Sequence, residues 1–95
     1  MSDIKIQVIY KDKTYAFEYS SQAYIFHTGI YNEMDSKYGI EGLLEYTALV
    51  HECYLSDAYR TPLGELCDYV AERWNEMKDM GKHEILEKFY TEIGL

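Results

Sequence analysis

Residues 4–10 alternate in character, and Ile4, Ile6, Val8 and Tyr10 fall on one side of an extended chain. A period of two, filled with β-branched and aromatic side chains, predicts a strand. Lys11-Asp12-Lys13 then makes a turn, and Tyr15, Phe17 and Tyr19 share one face of a second strand. The turn lacks Asn-Gly or Asp-Gly, so its length is left open. A hairpin alone is marginal in water, so helices must cover its apolar face.

The remainder reads with helical period. Ser20 or Ser21 caps a first helix running to about Ser36, with Ala23, Phe26, Ile30 and Met34 as its apolar stripe and Gly39 as its stop. The alternative for Tyr24-Ile25-Phe26-His27-Thr28 is a third strand broken at Gly29. A second helix runs from Ile40 or Glu41 to Leu55, with Ile40, Leu43, Leu44, Thr47, Val50 and Tyr54 on one side. Thr61-Pro62 opens a third, Thr as the cap and Pro in the first turn. Gly81 ends or kinks it. A short fourth helix carries Ile85, Leu86, Phe89 and Ile93. The expectation is an α+β fold in one domain: a hairpin (residues 1–20) packed against three to four helices (residues 21–95). Leu66, Val70, Trp74, Leu43, Val50, Phe17 and Phe89 are its expected core.

Drawn as one regular helix, the third segment divides sharply. Leu63, Leu66, Cys67, Val70, Trp74 and Met77 occupy an arc of about 100°. Glu65, Asp68, Glu72, Glu76 and Asp79 occupy about 80° on the opposite side, a row about 21 Å long. Arg73 and Lys78 lie off it. Such a row does not stabilise the helix, because carboxylates at i, i+4 repel and those near the C-terminus oppose the helix dipole. Two interpretations stand: a solvated face that keeps the chain soluble, or a ridge that docks into a groove of Lys and Arg. Carboxylates one turn apart, about 5–6 Å, approach the spacing of backbone phosphates. Tyr69, beside the row, would add apolar contact. The polar side of the second helix (Glu41, Glu45, Glu52) and the fourth helix (Glu84, Glu87, Glu92) repeat the theme.

Charge changes the picture further. The net charge is −8. Residues 1–22 balance to zero, while residues 23–95 carry six Lys/Arg against fourteen Asp/Glu. An acidic surface repels nucleic acid and anionic membranes and attracts basic proteins. Direct binding of DNA or RNA needs clustered Lys and Arg, which the pattern lacks. The eleven tyrosines supply amphipathic contact area suited to the rim of a core or to an interface. Tyr24, Tyr31 and Tyr38, spaced by seven, line one edge of the first helix. The hairpin lysines Lys5, Lys11 and Lys13 discourage edge-to-edge pairing, though a short edge leaves a homodimer possible.

Candidate chemistry is sparse. His51 falls on the apolar face of the second helix, the place of a core histidine. His51-Glu52-Cys53 is not a ligand cluster, since residues i, i+1 and i+2 of a helix diverge, and the second His of H-E-x-x-H is missing. No phosphate loop, nucleophile elbow or dinucleotide fingerprint occurs. The expectation is no enzyme, no metal and no cofactor. No apolar run has signal-peptide or membrane-spanning length, and Cys53 and Cys67 form no C-x-x-C, so a cytoplasmic protein with reduced thiols is expected.

In size, charge and tyrosine content the chain resembles small inhibitors made by phages and mobile elements, anti-CRISPR proteins among them, and also bacterial immunity proteins that neutralise basic nuclease toxins. The resemblance is one of composition and implies an acidic inhibitor, mimicking nucleic acid, that engages a basic nuclease or other nucleic-acid-binding protein. It carries over no site residues; the expected partner contacts are those of the ridge on the third helix, Glu65, Asp68, Tyr69, Glu72, Glu76 and Asp79. The alternatives are an immunity protein, or a small phage assembly protein acting as a homo-oligomer.

Overall fold

A computed structural model describes residues 4–19, 21–56 and 61–93, and within these all side chains but those of 4, 6, 17–19 and 21–27. Strand β1 (Ile4–Tyr10) pairs antiparallel with β2 (Lys13–Tyr19). In the register Ile4 pairs with Tyr19, Ile6 with Phe17 and Val8 with Tyr15. The turn is only two residues, Lys11 and Asp12, with φ of 51° and 65°. Positive φ at both central positions is the pattern of a type I′ turn, whose twist matches that of the strands. Lys13 therefore begins β2 and is not part of the turn.

Helix α1 (Ser21–Ser56) contains both expected helices, separated at Gly39, where φ is 77° and ψ 178°. The segment 24–28 is helical, not a third strand. Ile30 and Met34 of the first half and Tyr46, Val50 and Cys53 of the second point into the core. Leu43 is half-buried against it. Ile40, expected on the apolar stripe, is 60% exposed because it follows the kink directly. Phe17, Ala23 and Phe26, expected inside, and Tyr24, expected on the edge strip, lie outside the described side chains.

The segment after Pro62 departs from one regular helix. It forms α2 (Leu63–Glu72) and a single turn, α3 (Trp74–Met77), with a break at Arg73 (φ −116°, ψ 26°). The Arg73 amide reaches back only to the Val70 carbonyl (3.2 Å), and the Arg73 carbonyl then accepts from both Glu76 and Met77 at 2.9 Å. Like charges at Asp68, Glu72 and Glu76 give a continuous helix no support. Burying Trp74 and Met77, about 1.5–3 kcal/mol each, outweighs a displaced backbone bond of about 1 kcal/mol. Tertiary packing thus sets the backbone path.

Two expected end signals are reassigned. Pro62 itself occupies the position before α2 with no side-chain cap bond, and Thr61 Oγ1 instead lies 2.9 Å from the Tyr90 hydroxyl. Gly81 does not end the third helix. It precedes α4 (Lys82–Ile93), where its carbonyl accepts the Ile85 amide at 3.0 Å.

Leu66, Cys67, Val70, Trp74, Met77, Ile85, Leu86 and Phe89 complete one core with the α1 residues. Tyr46 lies at its centre: its hydroxyl donates to the Cys67 carbonyl at 2.8 Å, and its ring meets Trp74 edge-on at 5.8 Å. The radius of gyration, 12.7 Å, is close to the ~12–13 Å of a compact chain this long.

Candidate interaction surface

Helix α2 buries Leu66, Cys67, Tyr69 and Val70 and turns Glu65, Asp68 and Glu72 to solvent. Glu65 stands in the first turn, where the helix dipole favours a carboxylate. Glu65 and Asp68 have no ion-pair partner among the described residues. At 1.5 Å per residue the three carboxylates span about 10 Å, so the expected row of about 21 Å is cut to its first half by the break at Arg73.

Glu76 and Asp79, from the second half of the expected row, are also exposed. Glu76 lies 3.0 Å from Lys88 of α4. Asp79 follows α3 in a turn and has no ion pair among the described residues. Glu72 lies 3.5 Å from its neighbour Arg73. Solvated pairs of this kind contribute about 0–1 kcal/mol, so breaking them costs little.

Tyr69 is not the surface contact that its sequence position suggests. It is 5% exposed. Its ring meets Phe89 edge-on at 5.2 Å, and the Arg73 guanidinium lies 4.0 Å from its centroid. Its buried hydroxyl has no hydrogen-bond partner among the described residues. Arg73 also donates to the Tyr69 carbonyl at 3.3 Å. An i, i+4 Tyr-Arg spacing hints at this stack, but the burial depends on α4, distant in sequence. Lys88 as the partner of Glu76 has no local signal at all.

The acidic side of the second half of α1 is partly internal. Glu52 accepts the Tyr15 hydroxyl at 3.1 Å, with Lys13 at 4.0 Å, and so ties the helix to the hairpin. Burial and the neighbouring Glu52 carboxylate raise the Tyr15 phenol. Glu84, Glu87 and Glu92 of α4 border an open hollow of about 550 Å³ together with Lys88 and Met80.

His51 is buried with its ring edge-on to Tyr15 at 5.4 Å. Burial lowers its pKa, against the opposing pull of Glu52. The thiols of Cys53 and Cys67 are both pushed up to about 12, chiefly by burial, which makes them poor nucleophiles at neutral pH. No group of His, Cys, Asp and Glu among the described residues is arranged to hold a metal ion. None of the described helices is long and apolar enough to cross a membrane.

The chain matches no protein-family model, no curated protein and no solved structure.

Proposed function

We propose that the protein is a non-catalytic binding protein whose acidic face docks on a basic protein surface, one built to hold nucleic acid. The observation that carries this reading is the division of α2. One side is locked into the core by Leu66, Cys67 and Val70, while Glu65 and Asp68 stand in solvent with no ion pair among the described residues and Glu72 is held only by an exposed contact to Arg73. A rigid helix presents these charges at fixed spacing, so binding needs little ordering of the acidic side. Within a chain of net charge −8, they add long-range attraction that speeds encounter with a cationic groove.

The test is quantitative capture of partners on the immobilised protein and on the variant E65K/D68K/E72K, at low and then high salt. The expected result is a basic nucleic-acid-binding protein that the native chain retains, that salt releases and that the variant does not retain. Equal retention by the variant would overturn the reading. Strong self-association in sedimentation, insensitive to salt, would favour a homo-oligomeric assembly role instead.

A further inference from the structure

The hairpin and the second half of α1 border an open cleft of about 250 Å³, and Lys78 in the turn after α3 lies on its wall. Three lysines, Lys11, Lys13 and Lys78, are among the residues that line it. The whole chain has only nine Lys and Arg against seventeen Asp and Glu, so this convergence runs against the charge of the molecule. Two carboxylates also line the cleft, Glu45 and Glu52. Glu52 is already engaged, by the Tyr15 hydroxyl at 3.1 Å and by Lys13 at 4.0 Å. Lys11 and Lys78 have no carboxylate within ion-pair distance among the described residues. The Lys11 ammonium instead lies 5.4 Å from the centroid of the Tyr10 ring. Tyr10, Ala48 and Leu49 supply apolar wall.

Two cations without carboxylate partners, beside an aromatic and aliphatic wall, suit a ligand with a dianionic head and a flat apolar body. We propose that this cleft binds a small phosphomonoester, its phosphate between Lys11 and Lys78 and its ring against Tyr10 and Leu49. The volume sets the size: it lies just under the usual range of small-molecule pockets, about 300–1,000 Å³, and so admits a compact ligand. Glu45 faces the same space and opposes the phosphate by like-charge repulsion. The site lies apart from the acidic face of α2, and its occupancy does not depend on that face having a partner.

The experiment is a titration of the full chain with phenyl phosphate, followed by backbone amide NMR shifts. Inorganic phosphate and phenol serve as its separate halves. Saturable shifts centred on Lys11, Lys13, Leu49 and Lys78 are expected, with phenyl phosphate binding more tightly than either half. K11Q/K78Q should weaken it by about five- to tenfold, the loss of two exposed charge contacts. E45Q should tighten it. The replaced lysines are exposed, so the fold is kept, and an unchanged amide spectrum of the unliganded variant checks this. Shifts that do not saturate, that scatter over the surface, or that persist in K11Q/K78Q would overturn the proposal. So would inorganic phosphate binding as tightly as phenyl phosphate, which would leave a bare patch of charge.

Discussion

Gly39 and Gly42 act together in α1. Gly39 takes φ 77° and ψ 178°, a region essentially closed to other residues. A Cβ on Gly42 would lie 2.5 Å from the Cβ of Tyr38, which cannot swing away from its own backbone. We expect G39A and G42A each to destabilise the fold by about 1–3 kcal/mol. G29A, in a helix interior with open space around it, should stabilise by about 0.5–1 kcal/mol. Urea midpoints of the three variants check the opposite signs. His51 gives a pH signature. Its folded pKa lies below its ordinary value of 6.5, so the unfolded chain takes up the proton first as pH falls. Its contribution is therefore complete above about 6.5 and is lost as pH falls below that value towards the folded pKa. Melting temperatures measured from pH 8 to 5 should fall through this window, and H51F should flatten part of the fall. An identical slope in H51F would assign the effect to other groups.

Among the elements, the hairpin carries a correctable local cost. Lys11 and Asp12 both hold positive φ, which Asp tolerates better than Lys, whereas Asn-Gly is the preferred pair for a type I′ turn. Replacing Lys11-Asp12 by Asn-Gly should raise the urea midpoint by the equivalent of about 1 kcal/mol; an unchanged or lower midpoint would contradict the turn assignment. Period alone was enough to read both strands and the core stripe Leu66, Cys67, Val70, Trp74 and Met77, and the helix stop read at Gly39 falls on the kink of α1. It failed where non-local packing decides. A helical wheel assumes uniform winding, so it extended α2 through Arg73 and overstated the acidic row. It also left Tyr69 at the surface, because Phe89 covers it from α4. The lysine cleft was invisible for the same reason: Lys11 and Lys78 come to line one cleft only in the folded chain.

At the scale of the whole molecule, one core holds a surface on which charge is unevenly placed. Carboxylates dominate α2 and α4, and cations gather beside the hairpin turn. Exposed charges act through solvent over about 10 Å at 0.1 M salt, so on the proposed reading the acidic face would chiefly steer a partner at long range. The same reading requires short contacts at Glu65, Asp68 and Glu72 to hold the docked complex once water is excluded. The most direct test is the rate of association with a captured basic partner, followed as ionic strength rises. A docking acidic face predicts a steep fall in that rate for the native chain and a slow, nearly salt-independent rate for E65K/D68K/E72K. The same rate and the same salt dependence in both proteins would contradict it.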